Sequence, residues 1–333
     1  MSKNKVTIKD IALYAQVSTA TVSKIINNKD TNISKETREK VLNIIEKYNY
    51  IPNRMASSLV TKKTKTIGLV IPDISNPFFP EIARGVEDHA NSEGYSVIVC
   101  NTDNSVEKEE KYISMLMEKM VDGIIMTAAE KENENIDFYK RIDIPIVLVD
   151  RDINIDMVKG RVLVDNFKGA YNGVSYMIHK GYKKIVMLSG PESKNTSYDR
   201  VEAYKQALKD HNIQFECVVE GKYSLEWGKE GVKKLLEKNV EFDAIFCAND
   251  LIAIGAIKEL KSVKKSIPKD VGILGFDGIY IGEIIDPTLS TIKQPNYMMG
   301  YKSAEVLIDV INKNTTNNKD ITLDTELIIR DSL

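Results

Sequence analysis

The stretch VTIKDIALYAQVSTATVSKIIN, residues 6–27, decides how the chain begins. Thr7 and Asp10 stand three apart, the spacing of a helix-capping box. Ile8, Ile11, Ala12 and Ala15 then follow the three- and four-residue spacing of one buried helix face. After Gln16 and Val17, Ser18 is placed to cap a second short helix, TATVSKII. That helix turns Val22, Ile25 and Ile26 inward and leaves Thr19, Ala20, Ser23 and Lys24 on the opposite side. A third helix is predicted to start at Ser34 and to bury Val41, Leu42, Ile45 and Tyr48. Two helices joined by a very short turn inside a small three-helix unit form a helix-turn-helix, whose second helix can enter the major groove of DNA. A purely structural bundle is the alternative. Against it, no acidic residue falls between Ser18 and Asn28.

Charge points the same way. Residues 1–64 hold 12 Lys and Arg against 5 Asp and Glu, while the remainder holds 34 against 43. The net charge of −2 therefore hides a basic head on an acidic body, an asymmetry that suits a polyanionic partner. The N-terminus lacks the apolar run of a signal peptide, and nothing approaches the ~18 apolar residues of a membrane span. Cys100, Cys217 and Cys247 sit in apolar, strand-like runs and read as buried reduced thiols. A cytoplasmic protein is expected. His89, His179 and His211 lack metal-ligand spacing, and no nucleophile–base pair stands out, so neither metal, cofactor nor enzyme activity is expected.

Beyond the head, PNRMASSLV (52–60) has the pattern of a helix capped by Asn53. It is shorter than the ~12 residues an isolated helix needs in water, and Met55 and Leu59 share a face with no evident core. The body from residue 65 alternates strand-like apolar runs with helical patterns: TIGLVIPD, YSVIVCNTD, DGIIMTA, IPIVLVDRD, KIVMLSGP, DAIFCAND and VGILGFDG. Near-continuous apolar strands between helices indicate parallel sheets covered on both faces. At this length, two doubly wound halves fit better than one sheet.

In open α/β sheets, ligands bind beyond the carboxyl ends of the strands. The residues there are Asp73, Asn76, Phe78 and Phe79; Asp150 and Arg151; Asn249 and Asp250; Phe276 and Asp277. Gln294 follows STIK, Arg200 opens a helix, and Trp227 is the sole tryptophan. Carboxylates, guanidiniums, amides and aromatic faces together suit a small polyhydroxylated ligand. Asp250 and Asp165 read as helix caps or strand-end braces. Each member has a duller reading: Phe78 and Phe79 as core, Asp150 and Arg151 as a surface pair.

VTIKDIALYAQVSTATVSKIIN together with ISKETREKVLNIIEKYNYIPNRMASSLV resembles the headpiece of the LacI/GalR family of bacterial repressors. The resemblance implies base-reading positions at Thr19, Ala20 and Lys24, and phosphate contacts at Ser18, Thr21 and Ser23, with Thr7 also on the DNA-binding side. The family usually has Arg where Lys24 stands, so the planar guanidinium fork is lost. PNRMASSLV would be a hinge helix that pairs with a second copy in the minor groove, with Asn53, Ala56 and Leu59 as contacts and Leu59 as the wedge between base pairs. The motifs NPFF, VDRD, AND, GFDG and TIKQP resemble periplasmic ribose-binding proteins. They imply ligand contacts at Asn76, Phe78, Phe79, Asp150, Arg151, Arg200, Asn249, Phe276, Asp277 and Gln294, with Trp227 stacking on the sugar.

The expectation is therefore an α/β body behind an all-α head: residues 1–51 a helix-turn-helix domain, 52–64 a hinge, and 65–333 a two-lobed effector-binding and dimerisation domain, the chain crossing between lobes near 165, 294 and 322. The partners would be palindromic operator DNA, a second copy of the chain and a small sugar, with ribose favoured. A purine is the rival effector. A transport receptor that does not act on DNA is a more distant alternative.

Overall fold

The computed structural model describes residues 6–26, 30–51, 63–129, 136–153, 158–314 and 319–333. The chain forms two compact units, Met1–Thr64 and Lys65–Leu333.

In the first unit, α1 (Ile8–Ala15), α2 (Thr19–Ile26) and α3 (Lys35–Lys47) pack together. Thr7 starts α1 by a reciprocal capping box. Its N–H donates to the Asp10 carboxylate at 2.8 Å, and the Asp10 N–H donates to the Thr7 hydroxyl at 3.4 Å. Gln16 ends the helix in the left-handed region, at φ 56°. The core is Ile11, Ala12, Ala15, Val22, Ile25 and Val41. Ile8 and Ile26 are only half-buried. Two expected core residues of α3 lie outside it: Leu42 and Tyr48 are 37% and 38% exposed. Val41, Ile44 and Ile45 hold the inner face instead, because Leu42 stands about 100° around the helix from Val41. Tyr48 follows the last turn and stacks on Tyr14 at 4.7 Å between ring centroids.

The second unit contains two six-stranded sheets. The first uses β1 (Thr66–Ile71), β2 (Ser96–Asn101), β3 (Ile124–Met126), β4 (Ile146–Val149), β5 (Val158–Val164) and β11 (Lys319–Leu323), in the order β11-β5-β4-β3-β1-β2, with every pair parallel. The second uses β6 (Ile185–Leu188), β7 (Val218–Val219), β8 (Ala244–Cys247), β9 (Gly272–Asp277), β10 (Ser290–Lys293) and β12 (Glu326–Ile328), in the order β12-β10-β9-β8-β6-β7. Only β12 runs antiparallel to its neighbour. Connecting helices are α4 (Phe78–Ser92), α5 (Val106–Glu118), α6 (Ile136–Tyr139), α7 (Asn166–His179), α8 (Asn195–Asp210), α9 (Leu225–Glu237), α10 (Asp250–Ser262), α11 (Ile281–Ile284) and α12 (Asn296–Ile311).

The chain passes between the sheets three times: at Asp165 from β5 into α7, at Gln294 from β10 into α12, and at Asp324–Thr325 between β11 and β12. Helix α12 thereby returns to the first lobe, where Ala304, Leu307 and Ile308 join its core. It meets α4 backbone to backbone. A Cβ on Gly300 would lie 1.9 Å from the Ile82 carbonyl oxygen, and one on Gly85 would lie 2.0 Å from that of Tyr297. Neither oxygen belongs to a movable side chain. Gly300→Ala must push the helices apart, an overpacking cost of about 1–3 kcal/mol. Thermal denaturation is expected to show a melting temperature several degrees below the parent; an unchanged melting temperature would mean that the two helices part freely.

Candidate functional site

On the head, Thr7, Ser18, Thr19, Ala20 and Lys24 are exposed, and Thr21 and Ser23 are half-buried. Ala20 and Lys24 are four apart on α2 and share a face. The Ser18 hydroxyl accepts the Thr21 N–H at 3.0 Å and lies 2.9 Å from the Thr21 hydroxyl. Two of the expected DNA contacts, Thr7 and Ser18, therefore also cap helices, and Thr21 is the residue that Ser18 caps. Asn53, Ala56 and Leu59 lie outside the described residues.

In the body, strand ends of both lobes surround a cavity of about 40 Å³. From the first lobe come Asn76, Phe78, Phe79, Asp150 and Arg151; from the second come Arg200, Asn249 and Asp277. The volume falls short of the ~150 Å³ that admits a benzene, so a sugar requires the lobes to part about their crossings. Each lobe contributes one carboxylate–guanidinium pair. Arg151 Nε lies 3.7 Å from Asp150, and Arg200 Nη1 lies 3.5 Å from Asp277.

Both guanidiniums are held from behind. Arg151 Nη1 donates to Asn104 Oδ1 at 2.8 Å and to the Ala128 carbonyl at 3.3 Å, while its buried Nε has no hydrogen-bond partner. Arg200 donates from Nε and Nη2 to Asn166 Oδ1, at 3.0 and 2.8 Å, and rests 3.6 Å over the Phe276 ring. Asn249 caps α10 through the Ile252 N–H at 2.9 Å. The lobes also meet directly, where Asn195 Nδ2 donates to the Asp152 carbonyl at 2.9 Å.

Burial raises the pKa of both paired carboxylates, Asp150 and Asp277. Desolvation pushes Asp277 up to about 8, with Arg200 opposing and Asp250 and Asp150 adding to the rise. Asp150 is raised by burial against the pull of Arg151 and Arg200. Both also have unusual backbones, Asp150 at φ 69° and Asp277 at φ 111°, conformations that cost about 1–3 kcal/mol and collect at binding sites.

Three expected contacts do not line the cavity. Phe276 is fully buried beneath Arg200. Gln294 stands behind Asp277, donating to Oδ1 at 2.8 Å. Trp227 lies in the second-lobe core, 5% exposed, its ring flat on Gly221 and its Nε1 donating to the Ser189 carbonyl at 3.1 Å. Ser224 caps α9 and sets Trp227 in the first turn, turned toward the sheet. The second lobe's aromatic residue at the cavity is Tyr223, just before that cap, lying against Gly190 with its hydroxyl 3.5 Å from Thr196. Tyr223, Thr196 and Asn104 complete the lining together with Asp73; Asp73 is among the strand-end residues read from the sequence, and the other three are not. Asn104 also stands at a strand end, beyond β2; Tyr223 and Thr196 carry no motif.

Among the described residues, no cluster of His, Cys, Asp and Glu could hold a metal ion, and no helix is long and apolar enough to cross a membrane. The model described as "Bacterial regulatory proteins, lacI family" matches residues 7–53, and that for "Periplasmic binding proteins and sugar binding domain of LacI family" matches 64–331. This chain belongs to the LacI family.

As a LacI-family member it is a helix-turn-helix transcriptional regulator. It is 43% identical over 330 residues to the HTH-type transcriptional regulator RegA of Clostridium acetobutylicum, covering 98% of each chain. It is 38% identical over 326 residues to the ribose operon repressor of Halalkalibacterium halodurans, covering 98% of this chain and 96% of that one. Among solved structures, the lac repressor dimer bound to operator and the anti-inducer ONPF superposes with a TM-score of 0.88 at 25% identity, covering 99% of each chain. A LacI-family regulator from Enterococcus faecium with bound ribose gives 0.73 at 29% identity, covering 80% of this chain and 98% of that one. Relatives of this LacI-family chain are transcriptional regulators, which are not enzymes.

Proposed function

We propose that the chain is a dimeric repressor whose operator affinity is set by ribose, or a closely related pentose, bound between the lobes. Residues 1–51 read the operator, 52–64 form the hinge, and 65–333 bind effector and partner. The observation that carries the ligand is the cavity itself: a carboxylate and a guanidinium from each lobe, Asp150 with Arg151 and Arg200 with Asp277, within 3.7 Å in each pair. Adjacent sugar hydroxyls each donate and accept, so they satisfy such pairs together. A purine is served better by flat parallel walls. Phe78 and Phe79 instead meet edge to face at 82°.

Operators of two-fold symmetry match a two-fold dimer, and the relatives named for ribose support the choice of effector. The test is calorimetric titration of the full chain with ribose, other pentoses, hypoxanthine and guanine. Tight binding of ribose alone supports the reading; tight binding of a purine with none of ribose overturns it.

A linkage follows. Hydroxyls donate to the ionised form of Asp277, so binding favours the deprotonated carboxylate and releases a proton while the pH is below about 8. Ribose affinity should therefore rise with pH towards that value and level off above it. Titration at pH 7 in buffers of different ionisation enthalpy should show net proton release; proton uptake would contradict the assignment of Asp277.

A further inference from the structure

The turn that leaves β9 joins three surfaces. Asp277 lines the cavity. Ile279, two residues later, is 1% exposed and belongs to the apolar core of the opposite lobe, with Phe78, Phe79 and Ile82. Tyr280 and Ile284 then emerge, 58% and 75% exposed. A single carboxylate outside the cavity lining holds this turn. Asp250 Oδ2 accepts the Ile279 N–H at 2.8 Å, and the Gly278 N–H also donates to this carboxylate. Its Oδ1 accepts the Thr291 hydroxyl of β10 at 2.7 Å. A Cβ on Gly275 would lie 2.1 Å from that same Oδ1, so β9 passes directly over it. Asp250 is wholly buried. The backbone it grips is continuous with Asp277 at φ 111°, a conformation that persists only where the surroundings enforce it.

We propose that Asp250 is a positioning residue that couples ligand contact to lobe contact. By fixing the Gly278 and Ile279 amides it holds Asp277 towards the ligand and seats Ile279 in the other lobe. This rests on the sugar reading of the cavity. Asn249, its neighbour in the chain, faces the cavity; Asp250 acts only through the turn.

The test is a mutant cycle on the full chain, read as the calorimetric Kd for D-ribose. Asp250→Asn is expected to raise Kd at least tenfold, because the amide keeps one acceptor oxygen where the carboxylate has two, so either the Thr291 hydroxyl or the two backbone amides lose their acceptor. In the Asp277→Asn background the same change should cost markedly less than in the parent, because only its effect through Ile279 remains. Thr291→Val removes one donor while the two amide contacts remain; it should raise Kd severalfold and be similarly weakened there. It keeps the test open if Asp250→Asn does not fold. Ile279→Ala and Thr291→Val should likewise be non-additive. A merely structural role gives losses that multiply in every background, which would overturn the proposal alone. A parent chain that binds no ribose would overturn the sugar reading and this inference with it.

Discussion

Replacing Asp150 with alanine should raise the Kd for ribose at least about 100-fold and leave operator affinity of the ligand-free protein unchanged. Removing one member of a buried ion pair costs about 3–5 kcal/mol, because it leaves an uncompensated buried charge. Here that charge is Arg151, 7% exposed, with its Nε already lacking a hydrogen-bond partner. Operator affinity is spared because the helix-turn-helix belongs to the other compact unit. Backbone strain is a separate contribution: at φ 69° alanine is less comfortable than aspartate. Asp150→Asn keeps a side chain that tolerates this conformation, so a similar loss in Asn and Ala variants assigns the effect to the carboxylate. Calorimetry beside an operator-binding assay checks both halves. Unchanged sugar affinity in both variants would remove Asp150 from the site.

Lys24→Ala should relax base preference at one symmetric pair of operator positions, at about 1–3 kcal/mol per lost contact. Lys24 is exposed on α2, one turn beyond Ala20, where a side chain can reach a base edge while Val22 and Ile25 hold the helix on its core. Two copies in a dimer would double the effect on a palindromic site. Binding to a set of single-base operator variants distinguishes the roles. A loss confined to one pair of positions indicates base reading, whereas uniform weakening across all sequences indicates a phosphate contact.

How far the sequence carries is visible element by element. The apolar runs TIGLVI, AIFC and GILGFD form covered inner strands, because burial on both faces leaves an unbroken apolar signal; SVIVCN is equally apolar yet forms the edge strand β2, where only Cys100 is buried. Strand β5, VKGRVLV, carries no such signal: Lys159 and Arg161 alternate with buried valines, a pattern without the continuous run. Strand β7 has two residues, and β11 is half-exposed at a sheet edge. In the cavity, the strand-end rule located both carboxylates and Arg151, since topology alone delivers those positions. It did not separate the wall from the layer behind it, so Phe276 and Gln294 were expected at the ligand and stand one layer back. Trp227 was singled out for its residue type. Its orientation depends on where Ser224 starts α9, a shift of four residues that gives the wall to Tyr223 instead. Asn104, at φ 57°, is placed by a turn that no motif announces.

The most direct measurement is operator affinity of the purified full chain, by fluorescence anisotropy, with and without saturating ribose. A coupling free energy of about 1–3 kcal/mol between the two sites corresponds to a 5- to 150-fold change in operator affinity. The account predicts a change of that size with ribose, none with hypoxanthine, and none with ribose in Asp150→Ala. Operator binding that is identical with and without ribose would contradict it.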